Sequence, residues 1–167
     1  YNLYPGEKVL TKCKRCPAGY WSQKIGAQSD STCSACVPGK YSEDSGANST
    51  KSCKHCSIGK HNADIGSASR NKCLKCPKGK FQKLDGSAFC LPCSPGEYQK
   101  FLGQENCNAC EKNTKSEQAN SFECSKCAAG KESEKGSSKC QFCVAGKFGD
   151  EVGSSCKSCV AGQYRQR

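Results

Sequence analysis

The sequence predicts a small disulfide-rich fold: an elongated tandem array of short β-hairpin and turn repeats, with little helix and a minimal hydrophobic core. Three observations predict it. All 18 cysteines of the 167-residue chain fall into C-x-x-C pairs that recur every 20, then 17, then 16 residues. Glycines recur at fixed places between the pairs. Leu, Ile, Val and Phe together number 20, about 12% of the chain, too few for an ordinary globular core.

The cysteine pairs divide the chain into three parts. Residues 1–12 form an N-terminal segment with apolar residues but no cysteine, and we expect it to be a docking arm. Residues 13–89 hold four longer cysteine-rich repeats, and residues 90–167 hold shorter repeats, the last of them incomplete. The extra length of the early repeats lies in polar, serine-rich tips, which predict surface loops without helical periodicity.

The first glycine of each repeat lies three residues after the second cysteine and predicts a turn. In Val37-Pro38-Gly39-Lys40 the proline and glycine occupy the positions that a type II turn requires. Asn113 and Asn120 replace both glycines in the sixth repeat, and asparagine tolerates the left-handed backbone region. These positions therefore demand a positive φ angle rather than a binding group.

Two further columns accompany the turns. An aromatic ring usually follows the first glycine by two residues, and we expect it to pack on a nearby disulfide, although a row of rings for stacking carbohydrate is the alternative. This aromatic column comprises Trp21, Tyr41, His61, Phe81, Tyr98, Phe148 and Tyr164. A lysine often follows the glycine directly. This lysine row, expected along one side of the array, comprises Lys40, Lys60, Lys80, Lys131 and Lys147.

The cysteines also predict the compartment. So many cysteines with so small a core indicate structural disulfides and an extracellular location, secreted or at the cell surface. Asn48-Ser49-Thr50 is a glycan acceptor sequence, which makes Asn48 the candidate glycosylation site. C-x-x-C pairs about 16 residues apart also fit zinc, so a zinc-binding array is the remote alternative. No apolar run is long enough to span a membrane.

The residues do not favour an enzyme. His55 and His61 are the only histidines, and no nucleophile elbow, phosphate loop or carboxylate pair is present. We therefore predict no catalytic residue, no metal and no cofactor. The net charge of +11 comes mainly from lysine, which is less suited than arginine to reading bases, so no nucleic-acid partner is expected. Exposed lysines leave two alternatives: a solvated face, or contact with acidic polysaccharide or an acidic neighbouring subunit.

The motif Cys-x-x-Cys-Pro-x-Gly-x-aromatic, as in residues 13–21 and 73–81, resembles the ephrin-receptor-like cysteine-rich repeat. That family is similar in style to the modules of tumour-necrosis-factor receptors. The resemblance covers residues 13–164 and implies an elongated, disulfide-stapled extracellular array, with no catalytic residue and no particular ligand. The sixth repeat, which lacks the glycine and the aromatic ring, departs most from the pattern.

Two disulfide pairings are open. Block closure would join Cys13 to Cys33 and Cys16 to Cys36, and would leave one C-x-x-C pair over. Sequential closure resembles the receptor module and leaves only Cys13 and Cys159 unpaired. We favour this pairing. Its bonds are Cys16–Cys33, Cys36–Cys53, Cys56–Cys73, Cys76–Cys90, Cys93–Cys107, Cys110–Cys124, Cys127–Cys140 and Cys143–Cys156.

These features predict an extracellular structural rod or scaffold, a subunit or segment of a surface filament or matrix assembly. The alternative is a ligand-binding or adhesion ectodomain of a cell-surface receptor. We expect self-association, with residues 1–12 of one copy docking on the last repeat of the next and an intermolecular Cys13–Cys159 bond as a candidate link. The alternative to self-association is that neighbouring repeats of a longer chain are the partners of residues 1–12 and of the last repeat.

Overall fold

The computed structural model describes residues 14–165 as a succession of two-stranded antiparallel hairpins. The first strand of each hairpin follows a first glycine, and the second lies inside the next cysteine pair. Each strand has only two residues, because a turn precedes one strand and cysteines flank the other. In chain order the strands of the described part, β1 to β16, are Tyr20–Trp21, Ser34–Ala35, Lys40–Tyr41, Lys54–His55, Lys60–His61, Leu74–Lys75, Lys80–Phe81, Leu91–Pro92, Glu97–Tyr98, Asn108–Ala109, Thr114–Lys115, Ser125–Lys126, Lys131–Glu132, Gln141–Phe142, Lys147–Phe148 and Lys157–Ser158.

The predicted turn conformation is confirmed. The Lys40 N–H donates to the Val37 carbonyl oxygen at 3.2 Å, and Gly39 has φ +84°. In the sixth repeat Asn113 and Asn120 have φ 63° and 64°, and they are the non-glycine residues with positive φ in the described part. Both substitutions therefore preserve the backbone that the glycines adopt elsewhere.

The serine-rich tips of the early repeats contain structure that the sequence did not predict. A single turn of 3-10 helix ends each tip, at Asp30–Thr32, Thr50–Ser52 and Arg70–Lys72. A serine directly precedes each turn, and its hydroxyl accepts a hydrogen bond from the N–H two residues on. Serine is a preferred helix cap for this reason.

The interior consists mainly of cysteines and one column of polar residues, with Tyr41 and Ala47 also buried. Cys36, Cys56 and Cys76, each the second cysteine of a pair, are at most 1% exposed. In the second to seventh repeats the residue after the aromatic position is also buried, although it is polar. Most of these side chains bond to backbone, as where the Asn62 amide donates to the Lys40 carbonyl oxygen at 3.1 Å, whereas the Ser42 hydroxyl has no partner in the described part. We call these residues the polar column: Ser42, Asn62, Gln82, Gln99, Ser116 and Ser133.

Backbone hydrogen bonds join successive repeats. In the second repeat the Gly39 N–H donates to the Asn62 carbonyl oxygen of the third repeat at 2.7 Å. In the fourth repeat the Gly86 N–H donates to the Cys56 carbonyl oxygen of the third repeat at 2.8 Å. Gly39 also lies so close to the Gly86 carbonyl that a side chain there would overlap it. Each such repeat therefore contacts both the next repeat and the one after.

The accessible surface indicates an extended molecule. It measures 11920 Å², whereas a compact monomer of this mass exposes about 8,000 Å². The predicted fold class, a tandem array of short hairpins with little helix and a minimal core, is confirmed.

Candidate functional site

The chemistry of the chain is concentrated in its cystines. Residues 14–165 contain eight disulfides, and these follow the sequential pairing rather than block closure. Cys159 remains a half-buried thiol, and Cys13 lies outside the described residues. The loops enclosed by the disulfides shorten along the chain, with sequence separations of 17, then 14, then 13 residues. The pairs of bonded cysteines are Cys16–Cys33, Cys36–Cys53, Cys56–Cys73, Cys76–Cys90, Cys93–Cys107, Cys110–Cys124, Cys127–Cys140 and Cys143–Cys156.

The zinc alternative does not fit this pairing. A structural zinc site needs several thiolates around one ion, whereas every described cysteine except Cys159 is already bonded to another cysteine. One cluster has a metal-like arrangement: a ring nitrogen of His61 and the sulfurs of Cys76 and Cys90 lie within 4.8 Å of one another. Those two sulfurs form a disulfide. In this oxidised state neither sulfur is a thiolate.

The aromatic column packs on disulfides at two positions that the structure defines closely. Tyr41 is 9% exposed and forms a buried cluster with the bonded pair Cys56 and Cys73 of the next repeat. His61 lies in the same relation one repeat on, with its Nδ1 atom 3.3 Å from the Cys90 sulfur. The column ends differently, because Tyr164 is 85% exposed.

The lysine row lies on the first strand of each hairpin, and its members are half-buried. Lys60 lies opposite Lys75 across its hairpin, a pairing of like charges. The Lys131 ammonium lies 4.3 Å from the centre of the Phe142 ring. Among the ion pairs formed by residues 14–165, none involves a member of the lysine row.

A small basic cavity adjoins the lysine row. It has a volume of about 70 Å³ and lies against Tyr41 and the Cys56–Cys73 bond. Its lining includes His55, Lys60 and Arg70. The His55 ring also contacts a carboxylate, with Nδ1 3.0 Å from the Asp85 Oδ2 atom.

A larger cleft lies near the end of the described chain. It has a volume of about 630 Å³ and is lined mainly by apolar atoms, with Phe142, Val144 and Ala145 on its wall and Lys147 and Arg165 among its polar members. Phe142 is 74% exposed and Val144 is 54% exposed. This cleft had no signal in the sequence, because its walls come from separate repeats.

The candidate glycan site is exposed. Asn48 lies at the surface, and the neighbouring Ser49 caps the 3-10 turn that begins at Thr50. Glycosylation at Asn48 stays a prediction. The predicted docking arm, residues 1–12, lies outside the described residues.

One carboxyl group has a perturbed acidity. A hydrogen bond from Lys115, together with the charge of that ammonium, holds the pKa of Glu117 below its usual value. Both residues lie in the sixth repeat, where Lys115 occupies the aromatic position. This ion pair is local and exposed, so it gives no sign of a catalytic centre.

No helix of residues 14–165 could cross a bilayer, since the helices there are the three-residue turns of the early tips.

A search of curated proteins gives no significant match. Residues 68–103 match the family described as tyrosine-protein kinase ephrin type A/B receptor-like. Disulfide-rich modules of this kind are typically not enzymes, and together with the many disulfides the match indicates an extracellular cysteine-rich module. That match covers residues 68–103 and, together with the eight tandem disulfides of residues 14–165, is consistent with an ephrin-receptor-like cysteine-rich repeat array.

Proposed function

We propose that the chain is an extracellular structural rod, a subunit or segment of a surface filament or matrix assembly. The observation that supports this is the repeated backbone bonding between repeats, as from Gly39 to Asn62 and from Gly86 to Cys56. Bonds of this kind recur from the first repeat to the seventh. An array in which each repeat is bonded to its neighbours and stapled by a disulfide resists bending, as a load-bearing spacer requires.

Small-angle scattering tests this proposal. The oxidised chain should scatter as a stiff rod, with a cross-section that is the same in a variant shortened by whole repeats and a length that falls in proportion. Reduction and alkylation of the cysteines should produce the scattering of a flexible coil. A compact particle, or an oxidised chain as flexible as the alkylated one, would refute the rod.

We further propose that copies join head to tail, with residues 1–12 docking on the last repeat of the next copy. An open surface in that region supports this: at Gly146 and Gly162 no atom of the described chain lies within 4 Å of the place that a Cβ atom would take, unlike at Gly39. The Cys159 thiol lies in the same region and would bond to Cys13 of another copy. Deleting residues 1–10 should shorten the particles measured by light scattering, and Cys159→Ser should remove only the covalent part. Particles of unchanged length after the deletion would end this proposal.

The alternative function, a ligand-binding or adhesion ectodomain, is favoured by one observation, the apolar cleft of about 630 Å³ beside Phe142. Exposed aromatic and aliphatic side chains of this kind suit an apolar segment of a partner protein. Phe142→Ser should then abolish adhesion of the chain to cells and leave rod length unchanged. Phe89→Ser, at a 64% exposed aromatic residue outside the cleft, is the control.

An acidic polysaccharide is the second partner we propose, and it would bind along the lysine row. The basic cavity supports this, because Lys60 and Arg70 meet there with His55. Replacing Lys60 and Arg70 by glutamine should weaken binding to heparin more than replacing Lys147 does. Binding should also weaken steeply with salt, because ions screen exposed charges beyond about 8 Å at physiological strength. No binding, or binding that is insensitive to salt, would leave the lysine row a solvated face.

A further inference from the structure

The aromatic position of the third repeat differs chemically from the others. His61 takes the place that Tyr41 occupies one repeat earlier, and its ring lies against the Cys76–Cys90 bond, with Nδ1 3.3 Å from the Cys90 sulfur. Among the described members of the aromatic column, His61 is the one with an imidazole ring, whose nitrogens can pass a proton to a neighbouring atom. A proton donor is thus placed beside one disulfide of the array.

The two cysteines of this bond are unequally exposed. Cys76 is fully buried at 0% exposed, whereas Cys90 is half-buried. An attacking thiolate reaches Cys90 first, so Cys76 becomes the departing thiolate. A thiolate that forms in a dry interior is costly unless a charge or proton compensates it. The His61 ring nitrogen lies 3.3 Å from the Cys90 sulfur and within 4.8 Å of the Cys76 sulfur, so one bridging water would carry the proton to Cys76.

We propose that Cys76–Cys90 is a site of thiol–disulfide exchange for dithiol reductants, with His61 delivering a proton to the departing sulfur. One thiolate of the reductant attacks the Cys90 sulfur, the Cys76–Cys90 bond breaks, and its electron pair goes to Cys76. The protonated His61 ring gives its proton to the Cys76 thiolate. The second thiolate of the reductant then attacks the mixed disulfide and releases Cys90, which takes a proton from water as His61 does. The net change is two protein thiols and one oxidised reductant.

The array provides two internal controls. Cys93–Cys107 and Cys110–Cys124 have the same sequence separation as Cys76–Cys90, 14 residues, so closing any of the three loops costs similar chain entropy. By sequence position, Phe81 corresponds to His61 for the Cys93–Cys107 bond, and Tyr98 corresponds to it for the Cys110–Cys124 bond. Neither residue has an imidazole ring to deliver a proton. The neighbouring Cys56–Cys73 is not a matched control, because both of its sulfurs are buried.

The experiment measures the opening rate of each bond in one tube. The oxidised chain is exposed to dilute dithiothreitol at pH 7, quenched in acid and alkylated, and peptide mass spectrometry follows each cysteine. Cys76–Cys90 should open on the order of tenfold faster than the two control bonds, a modest share of what a positioned general acid contributes. His61→Tyr should bring its rate down to theirs, and Phe81→His should raise the rate of Cys93–Cys107.

The direction of the effect separates this role from packing. If His61 only shielded the bond, a poorly fitting replacement would expose the sulfurs and speed their reduction, whereas loss of a proton donor slows it. Hydrogen exchange at the Cys76 N–H, which donates to the Gly59 carbonyl oxygen at 2.9 Å, reports whether the repeat stays closed in each variant. Equal rates at the three bonds, or a rate at Cys76–Cys90 that His61→Tyr leaves unchanged or raises, would overturn the proposal.

Discussion

Replacing Gly39 by alanine tests how the repeats stack. Two costs add at this site: an L-residue at φ +84° is strained by about 1–2 kcal/mol, and a methyl group forced into a filled space costs about 1–3 kcal/mol. The space is filled by the Gly86 carbonyl group two repeats away. Gly39→Ala should therefore lower the local free energy of unfolding by about 2–5 kcal/mol, the sum of the two terms.

Gly146→Ala is the matched control. Gly146 has φ +77°, nearly the same backbone strain, but no atom of the described chain lies within 4 Å of the position of the added carbon. Its replacement should cost only about 1–2 kcal/mol. Hydrogen exchange with the disulfides intact measures both values at the backbone bonds around each site. If the two replacements differ by less than about 0.5 kcal/mol, the usual scatter of neutral substitutions, the close approach of alternate repeats is refuted.

Three further outcomes follow from single side chains. Tyr41→Ala should cost about 3 kcal/mol of stability in denaturant unfolding, because it empties a buried aromatic site, whereas Tyr164→Ala, at an 85% exposed ring, should change it by less than about 0.5 kcal/mol. Asn120→Gly should be nearly neutral and Asn120→Ala should destabilise, because φ is 64° at this exposed residue; equal effects would contradict this. Lys115→Gln should raise the pKa of Glu117 towards its ordinary value in an NMR titration. Because the folded pKa is lowered, the contribution of that pair is present above the unfolded pKa and lost as pH falls through the folded one.

The sequence predicted the parts of the fold that repeat in every unit. The cysteine spacing predicted the disulfides. The turn at Val37–Lys40 was predicted because proline and glycine occupy the positions that a type II turn requires. Asn113 and Asn120 stand where the other repeats have glycine, and they predicted the same positive φ angle. Each of these is a local property, because the turn or loop involves residues close together in the chain.

The relation between repeats could not be predicted in the same way. Burial of Asn62 depends on the carbonyl group of Lys40 in the preceding repeat, and polar residues are ordinarily predicted to be exposed. The contact of Gly39 with Gly86 depends on the rotation from one repeat to the next, which no single repeat encodes. The 3-10 turns escaped detection because three residues are too few for a periodic pattern.

Backbone groups and disulfides make most of the connections between repeats, so the exposed side chains are largely free to vary without loss of the fold. Apolar side chains such as Ile25 and Ile65, at 97% and 69% exposed, contribute little to the interior. The lysine row and the cleft beside Phe142 likewise contribute little to the stability of the fold. His61 is different, because its half-buried imidazole ring lies against one of the bonds that hold the scaffold together. Binding functions of the array would therefore reside in its exposed rows, whereas control over its integrity would reside at the Cys76–Cys90 joint.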